Sequence, residues 1–396
     1  MQIGITTSVI QRGRSGVGQY VLSIARALLP YAKQHEFSLF VLEEDRPLFS
    51  FAEGAMQIVP VEERFRPAVR DILWHQTRLP GLVKKLGLDV IHAPSYRRLI
   101  ASAPCARVGT IHDLAPFRLA GKYDWKRMLY GRIVVKQLAR RQDAVIAVSN
   151  TTAADIRQFF GVAGDRLTTV ANGIDHERFN LTGAECAKAR VASKWVLNDP
   201  YFLFVSRLEH PGKNHVRLIA AYEQFRTATK SGIKLVLGGG DWHGAEVIRA
   251  RAAASPFSAD IRFLGFVPDA ELPALYQAAE AMVYPSLFEG FGLPPIEAMA
   301  CGCPVICSTR GALAEVVGNA ASIVDPESEA DIARAMSSVI SGGEARTRQI
   351  AAGIQRAGQF SWDHAASETL AVYRAAVARR ASGRVDIPAV ERRIAS

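Results

Sequence analysis

Cysteine is scarce in this sequence, and its spacing fits neither a disulfide framework nor a zinc site. The 396 residues include five cysteines, at positions 105, 186, 301, 303 and 307. The number is odd, and the close pair at 301 and 303 lacks the paired spacing of zinc ligands. We therefore expect reduced thiols, a cytoplasmic location and no bound metal.

Long apolar runs are also missing. No stretch reaches the roughly 18–20 apolar residues of a transmembrane helix, and residues 1–6 lack the basic and apolar regions of a secretory signal. Low-complexity tracts and repeats of about 20–50 residues do not occur either. These absences predict a globular chain that neither spans a membrane nor is exported.

The composition is that of an ordinary folded protein. Apolar residues make up 49% of the chain and charged residues 22%, close to the averages of globular proteins. A chain of 396 residues is too long for one ordinary core and fits two domains of roughly 150–200 residues each.

Positive charge is concentrated in the first half of the chain. The net charge is +10; residues 1–180 hold 25 Lys and Arg against 16 Asp and Glu, while residues 181–396 hold 23 against 22. Such asymmetry indicates an anionic partner, either a phosphorylated substrate or an acidic lipid surface. No zinc-finger, helix-turn-helix or RNA-binding motif accompanies the charge, so nucleic acid is not an expected partner.

Short aliphatic runs alternate with segments of helical period, a pattern typical of parallel sheets flanked by helices. In the first half the predicted strands are Gln2–Thr6, Phe37–Leu42, Gln57–Val61, Val90–His92, Arg107–Ile111, Ala144–Val148 and Leu167–Val170. In the second half they are Tyr201–Val205, Lys234–Leu237, Ile261–Leu264, Ala281–Tyr284, Val305–Cys307 and Ser322–Val324. The pattern predicts two Rossmann-like lobes.

The predicted helices include Gln19–Leu29, Val69–Leu86 and Trp125–Arg141, and Ser149 is expected to cap a helix that runs to Phe160. We place the first domain at residues 1–175 and the second at 176–362, because the turn-forming Asn172-Gly173 marks a junction. A helix at 363–380 is expected to cross back to the first domain, and residues 381–396 to form a flexible tail.

The most informative stretch is residues 288–302, which read FEGFGLPPIEAMACG and follow a predicted strand. Gly290 and Gly292 let the backbone approach a ligand, and two prolines suit the first turn of a helix that begins near Leu293. A helix start presents free N–H groups and a positive dipole end to a diphosphate. Glu289 and Glu297 then reach different ends of one ligand.

A second candidate segment, residues 205–214, reads VSRLEHPGKN and follows another predicted strand. Arg207 offers a fork of donors and Lys213 a mobile point charge. Together these two cations could neutralise a diphosphate leaving group without a metal, although surface cations are the simpler alternative.

These motifs resemble the signature of the retaining glycosyltransferases with the GT-B fold, family 4, also called glycosyl transferases group 1. The resemblance extends in order from residue 13 to about residue 362. It implies an α/β fold in which two Rossmann-like domains face each other across a cleft, with the first binding the acceptor and the second the nucleotide-sugar donor. It also implies transfer with retention of configuration, no metal and no other cofactor.

The resemblance assigns roles to individual residues. It implies that Glu289 contacts the donor sugar, Glu297 the nucleotide ribose, and Arg207 and Lys213 the diphosphate, while His112 reaches the sugar from the first domain. The catalytic set is therefore Glu289, His112, Arg207 and Lys213. The further donor-binding residues are Gly16, Gly18, Ser206, Gly239, Gly265, Phe266, Val267, Gly290, Phe291, Gly292, Leu293 and Glu297.

Some of these residues have structural alternatives. His112 could instead be hydrogen-bonded inside its lobe, and the segment around Gly265 could be an ordinary strand-to-helix turn. A dinucleotide-binding interpretation of Gly16 and Gly18 is disfavoured because Val21 occupies the place of the third glycine.

The acceptor side is predicted from Asp113 and Lys126. Lys126 belongs to a cationic helix face with Lys122, Lys136, Arg140 and Arg141. Such a face could contact an anionic membrane peripherally, at the inner surface of the cytoplasmic membrane, or hold a lipid-linked acceptor. A solvated helix face is the alternative.

Within the family, the sequence looks most like the GDP-mannose-dependent mannosyltransferases of bacterial polysaccharide and O-antigen synthesis. The expected partners are thus a nucleotide-sugar donor and a lipid-linked or oligosaccharide acceptor. Three alternatives stay open: a transferase that uses UDP-glucose or UDP-N-acetylglucosamine, a sugar-nucleotide epimerase, and a sugar-nucleotide-binding protein without turnover.

Overall fold

A computed structural model describes residues 1–13, 15–119 and 131–383, and two parallel sheets form its framework. The first sheet has seven strands in the order β3-β2-β1-β4-β5-β6-β7. They are β1 (Gln2–Thr6), β2 (Glu36–Leu42), β3 (Gln57–Val61), β4 (Val90–Ala93), β5 (Ala106–Ile111), β6 (Ala144–Ala147) and β7 (Leu167–Thr169).

The second sheet has six strands in the order β10-β9-β8-β11-β12-β13. They are β8 (Tyr201–Val205), β9 (Lys234–Gly238), β10 (Ile261–Gly265), β11 (Ala281–Tyr284), β12 (Val305–Ser308) and β13 (Ser322–Val324). In each sheet the second and third strands are added on one side of the first strand, and the later strands are added on its other side. This reversal of strand order is typical of doubly wound folds. The predicted strands are confirmed to within one residue at either end, because buried parallel strands show as short, continuous apolar runs.

The helices of the first lobe are α1 (Gly16–Ala27), α2 (Ala68–Thr77), α3 (Leu79–Lys85), α4 (Ala115–Arg118), α5 (Lys136–Arg140) and α6 (Asn150–Asp155). Those that follow are α7 (Ala184–Trp195), α8 (His215–Thr229), α9 (Ala245–Ala253), α10 (Leu272–Ala278), α11 (Leu293–Ala300), α12 (Leu313–Val317), α13 (Glu329–Ser341), α14 (Gly343–Ala357) and α15 (Trp362–Ala381).

One helix prediction was wrong. The single helix expected at Val69–Leu86 is two helices, α2 and α3, which meet at Arg78. Pro80 lies in the first turn of α3, where its missing N–H costs nothing; inside a continuous helix its ring would clash with the preceding turn. Of the helix predicted at Trp125–Arg141, residues up to 130 lie outside the described residues, and α5 forms its end.

Ser149 caps a helix as predicted. Its Oγ accepts a hydrogen bond from the Thr152 amide at 3.0 Å, which satisfies one of the free N–H groups of the first turn of α6. The helical chain continues beyond α6 as a π-helical turn at Ile156–Phe160.

The last helix, α15, returns to the first lobe. Its buried residues, among them Leu370 and Tyr373, belong to the same apolar cluster as Ile3 and Val21 of the first lobe. The chain therefore crosses between the lobes twice. The two crossings lie side by side, because Ile174 pairs with Ser361 in a parallel bridge.

The sheet order determines where a ligand site forms. In doubly wound sheets, ligands bind beyond the carboxyl ends of the strands, where the strand order reverses. In the second lobe this point lies between β8 and β11, which are neighbours. The two segments that the sequence singles out, residues 205–214 and 288–302, follow these two strands directly.

Candidate active site

An ion pair lies at the carboxyl ends of β8 and β11. The Lys213 Nζ lies 2.6 Å from Oε1 of Glu289, and only about 15% of either side chain is exposed. The same Oε1 accepts hydrogen bonds from the Ser286 hydroxyl at 2.7 Å and the Tyr284 hydroxyl at 3.1 Å. Three donors on one oxygen fix the orientation of this carboxylate.

The loops that carry this pair are hydrogen-bonded to each other. The Gly212 carbonyl accepts from the Leu287 amide at 3.0 Å. The Asn214 amide group donates to the Pro285 carbonyl at 2.9 Å. The two loops follow neighbouring strands, and these hydrogen bonds join them to each other. The positions of Lys213 and Glu289 relative to each other are therefore fixed.

Arg207 and Ser206 start the loop after β8. The Arg207 guanidinium lies over the Trp242 ring, 4.6 Å from its centre, and 3.5 Å from the Glu209 carboxylate. Its side chain is 40% exposed, so it remains accessible to an anion. Ser206 hydrogen-bonds the Tyr284 hydroxyl, which in turn donates to the Glu289 carboxylate.

The glycine-rich loop after β11 leads into helix α11. Gly292 has a φ of +104°, a conformation that favours glycine, and α11 begins at Leu293 with proline in its first turn. The start of α11 therefore points its free N–H groups toward this loop. The Phe291 side chain is buried against Phe360, so only the main chain of Phe291 is available to a donor.

Glu297 lies in α11 and is half-buried. The Tyr276 hydroxyl donates to its Oε2 at 3.3 Å. Burial raises the pKa of Glu297 to about 7, because an ionised carboxylate loses hydration there. This carboxyl thus titrates near neutral pH.

Four of the residues predicted to bind the donor lie at the ends of β9 and β10: Gly239, Gly265, Phe266 and Val267. The Gly239 amide donates to the Gly265 carbonyl at 2.7 Å, and Phe266 is 57% exposed. Val267 is buried in the core of the second lobe. Its side chain therefore cannot contact a nucleotide, and only its main chain could.

His112 follows β5 on the facing lobe. Its Nε2 lies 3.1 Å from the Pro94 carbonyl; since a carbonyl only accepts, Nε2 carries the proton. Burial lowers the pKa of His112 to about 4, so the ring is neutral at physiological pH. Its Nδ1 is then a lone-pair acceptor, which suits a sugar hydroxyl.

The acceptor-side predictions have different outcomes. The Asp113 Oδ1 accepts from the Ala115 amide at 3.0 Å, so this carboxylate is engaged in its own turn. Lys126 and Lys122 lie outside the described residues. In the remaining cationic face, Arg140 donates to the Phe160 carbonyl at 2.7 Å, which turns it into the lobe, whereas Arg141 is exposed.

The first-lobe glycine loop leads into α1. Gly16 is its first residue, and Ser15 caps the helix by accepting from the Gly18 amide at 3.0 Å. Gln19, one residue further, donates to Asp269 of the second lobe at 2.9 Å. The loop therefore lies at the contact between the lobes.

The loop with Glu289 is docked directly on the strand end with His112. A Cβ on Gly290 would lie 1.7 Å from the His112 carbonyl oxygen, so the chain backbones touch there. The Gly290 carbonyl accepts from the hydroxyls of Ser149 at 2.7 Å and Thr152 at 3.2 Å. This contact places the residue after Glu289 against the main chain of His112.

Glu315, which sequence reasoning missed, adds a second contact between the lobes. Its carboxylate accepts from the amides of Asn150 at 2.8 Å and Thr151 at 2.9 Å, and from the Thr151 hydroxyl at 2.8 Å. It thus caps α6 of the opposite lobe. Nothing local in the sequence indicates this role, because the partners lie about 165 residues away.

Residues 1–13, 15–119 and 131–383 contain no group of three or more His, Cys, Asp or Glu side chains placed to hold a metal ion. In the same ranges no helix is both long enough and apolar enough to cross a bilayer.

Two family models match the chain, one in each lobe. Residues 187–356 match the family model "Glycosyl transferases group 1", and residues 14–178 match "Glycosyltransferase Family 4". The chain is 28% identical over 388 residues to O-antigen chain mannosyltransferase B of Escherichia coli, covering 94% of this chain and 100% of the relative.

Two further similarities extend the comparison. The chain is 30% identical over 330 residues to the glycogen synthase of Mycobacterium tuberculosis, covering 78% of this chain and 75% of that one. Its fold is similar to that of the sucrose-phosphate synthase of Thermosynechococcus elongatus, with a TM-score of 0.76 at 20% identity over 94% of this chain and 98% of the other.

Proposed function

Since this chain belongs to the glycosyl transferases of group 1 and is a hexosyltransferase with the GT-B fold, we propose that it transfers mannose from GDP-mannose with retention of configuration. The acceptor is a lipid-linked or oligosaccharide chain in the synthesis of a cell-surface polysaccharide. The observation that carries the proposal is the Lys213–Glu289 pair, which lies next to Gly290 at its contact with the main chain of His112. The similarity to an O-antigen mannosyltransferase supports the choice of sugar.

Lys213 and Arg207 serve the leaving group. Lys213 uses one N–H on Glu289 and keeps two for phosphate oxygens. Arg207 lies in the same loop, its side chain is half-exposed, and its guanidinium offers a fork of donors. The first turn of α11 adds main-chain N–H groups. These groups stabilise the negative charge that develops on the diphosphate as its bond to the sugar breaks.

Glu289 and His112 hold the hexose from opposite walls. Glu289 accepts from sugar hydroxyls, in an orientation that its three donors fix. The neutral His112 accepts a further hydroxyl at Nδ1. Glu297 accepts from the ribose hydroxyls at the other end of the donor.

Retention follows from attack on the face that the leaving group departs from. The acceptor oxygen forms a bond to the anomeric carbon as the bond from that carbon to the phosphate oxygen breaks. The acceptor's proton passes to the departing phosphate oxygen, and GDP leaves. No enzymic nucleophile is required, and the cations described above supply the stabilisation of charge.

A donor screen tests the proposal. The purified protein is incubated separately with GDP-mannose, UDP-glucose and UDP-N-acetylglucosamine, and thermal shift, donor hydrolysis and transfer are measured. We expect GDP-mannose alone to raise the melting temperature and to be turned over. The product should carry an α-linked mannose, as read from its anomeric carbon–proton coupling; a β-linked product would contradict retention.

A glucosyl donor is the second candidate, because the glycogen synthase is 30% identical to this chain. Turnover of UDP-glucose in the same screen would replace the mannosyl assignment while leaving the site roles in place. Binding of a donor without hydrolysis or transfer would instead indicate a sugar-nucleotide-binding protein, and a changed but untransferred sugar would indicate an epimerase.

We also propose that the reaction needs no metal. Lys213, Arg207 and the start of α11 supply the positive charge that a divalent cation would otherwise provide. Activity should therefore survive an excess of chelator. Complete loss that magnesium restores would contradict this part of the proposal.

Peripheral contact with the inner face of the cytoplasmic membrane completes the proposal. Ile133 and Val134 are 57% and 42% exposed, beside the exposed Arg132, on the lobe that carries most of the net charge. We expect flotation with vesicles that contain anionic lipid and none with neutral vesicles. Ile133→Asp should weaken the flotation, and equal flotation with both vesicle types would contradict an electrostatic contact.

A further inference from the structure

Four buried polar side chains form a continuous hydrogen-bonded row beneath the active site. The Tyr373 hydroxyl lies 2.7 Å from Nδ1 of His92, and Nε2 of His92 lies 2.8 Å from the Thr110 hydroxyl. The Thr110 hydroxyl lies 3.2 Å from the Tyr20 hydroxyl. All four side chains are at most 2% exposed.

The row joins elements that are distant in sequence. Tyr373 belongs to α15, which follows the second lobe, whereas His92, Thr110 and Tyr20 belong to β4, β5 and α1 of the first lobe. His92 and Tyr373 are 281 residues apart. The helix that returns from the second lobe thus supplies one end of a buried row in the first.

The other end of the row contacts His112. The ring of Tyr20 meets the ring of His112 edge to face, with 4.7 Å between the centres and 80° between the planes. On its other side, His112 is held by the bond from Nε2 to the Pro94 carbonyl. These two contacts determine the plane in which the imidazole lies.

Burying these four polar side chains costs free energy, so their presence in the core calls for a functional reason. Burying hydroxyls and an imidazole removes their hydration, and apolar side chains of the same size would fill this core as well. Burial lowers the pKa of His92 to about 3, so its ring stays neutral, with one donor and one acceptor nitrogen. A neutral imidazole between two hydroxyls orients both, and a fully bonded row of this kind is rigid.

We propose that Tyr20 is a positioning residue for His112, and that Tyr373, His92 and Thr110 hold Tyr20 in place. The returning helix α15 thereby sets the orientation of the sugar-binding imidazole. This inference rests on the proposed role of His112 in holding the donor hexose.

Two conservative variants test it against a matched control. Tyr20→Phe and Tyr373→Phe keep each ring and remove one hydroxyl from the row. Tyr201→Phe is the control, because the Tyr201 hydroxyl is equally buried and donates to the Leu275 carbonyl at 2.8 Å, at the end of β8 away from the site. The catalytic parameters, donor affinity and melting temperature are measured for all three.

We expect Tyr20→Phe and Tyr373→Phe to lower kcat by about tenfold, with the KM for donor unchanged, because the imidazole is misoriented. The double variant should lose little more than either single variant, since both act through one row. Tyr201→Phe should lower the melting temperature to a similar degree and keep kcat. Normal kcat in both row variants would overturn the proposal.

A spectroscopic measurement keeps the test independent of turnover. In the protein labelled with ¹⁵N-histidine, the signal of His112 is identified by its disappearance in His112→Gln, and it should show the proton on Nε2. We expect this signal to shift or broaden in Tyr20→Phe and Tyr373→Phe but not in Tyr201→Phe. An unchanged signal in the row variants would overturn the inference.

His112→Gln also separates this inference from the proposed function. If it abolishes transfer while the row variants stay fully active, the positioning role fails and the function of His112 stands. If it retains full activity, the role of His112 fails, and the inference that rests on it fails as well.

Discussion

Lys213 and Glu289 form the pair on which the proposed chemistry depends. Both are largely removed from water, and an ion pair in such a place is favourable only if further hydrogen bonds satisfy its members. Ser286 and Tyr284 supply those bonds to Glu289. The pair is thus a fixed arrangement that a diphosphate can join.

Replacing Lys213 tests its role directly. Lys213→Ala should lower kcat by about 100- to 1,000-fold, because a preorganised donor to the leaving group is lost, while the circular dichroism spectrum stays that of the wild type. Lys194→Ala is the control, since the half-exposed Lys194 pairs at 2.9 Å with Glu271, which keeps Arg190 as a second partner. Near-normal turnover in Lys213→Ala would exclude a leaving-group role.

Glu297 gives the donor affinity a pH dependence. Its pKa of about 7 means that the carboxyl is protonated below neutral pH and ionised above it. An ionised carboxylate accepts from both ribose hydroxyls, so the affinity for GDP-mannose should rise as the pH rises through 7 and then level off. Calorimetric titration from about pH 5.5 to 8.5 measures this.

Glu297→Gln is the matched variant for that prediction, because the amide keeps the shape and does not titrate. Its donor affinity should be lower and flat across the same range; a slope equal to that of the wild type would assign the titration elsewhere. Since the folded pKa lies above the ordinary 4.5, this carboxyl's contribution to stability is present below pH 4.5 and lost as the pH rises through 7.

Among the structural elements, the loop between β11 and α11 contacts the first lobe directly. Its Gly290 touches the end of β5, and its carbonyl accepts from the start of α6. The space at position 290 is too small for any side chain. The glycine is therefore required by the fit between the lobes, in addition to any approach to a ligand.

Gly290→Ala should abolish transfer and lower donor affinity by a smaller factor. The added methyl group would lie within 2 Å of the His112 carbonyl, so the lobes must separate, and the second lobe keeps its own core. Gly232→Ala is the control, because a Cβ there meets nothing within 4 Å. Transfer assays and donor titrations of both variants make the comparison, and an active Gly290→Ala enzyme would show that the contact is dispensable.

Considering the whole molecule, the described residues include three hydrogen-bonded contacts between the lobes besides the two chain crossings. They are the docking of Gly290 on Ser149 and Thr152, the capping of α6 by Glu315, and the bond from Gln19 to Asp269. All three lie near the cleft. The first of them fixes the loop that carries Glu289 against the strand end that carries His112.

Glu315→Gln should favour a more open molecule. A carboxylate at a helix start is stabilised by the free N–H groups and by the dipole, an effect of about 1 kcal/mol, and an amide accepts less strongly. We expect a larger radius of gyration in solution scattering and a kcat/KM for acceptor reduced about 3- to 10-fold. Donor affinity should be unchanged.

The control for this prediction is Glu344→Gln, which removes a charge from a residue that is 91% exposed and pairs only along its own helix with Arg348. Its scattering and kinetics should match those of the wild type. Identical behaviour of the two variants would mean that Glu315 does not hold the lobes together.

The class of the fold, the strands and the two motifs after β8 and β11 can be read from the sequence alone. Strand runs, glycines and prolines act within a few residues of chain, so their pattern can be read locally. The predicted helix at Val69–Leu86 failed where a single proline changed the local geometry. The roles assigned to the site residues stay predictions until a donor complex is measured.

The packing of the whole chain determines which of these side chains are buried and which distant residues are in contact. It buries the side chains of Phe291 and Val267 and places the Glu315 carboxylate at the start of α6. It also joins Tyr373 to His92 in the row that ends at Tyr20, beside His112. The hydrogen bonds of Glu315 and Tyr373 join residues about 165 and 281 positions apart. Such pairings depend on how two lobes and a returning helix pack together, which no local pattern of residues encodes.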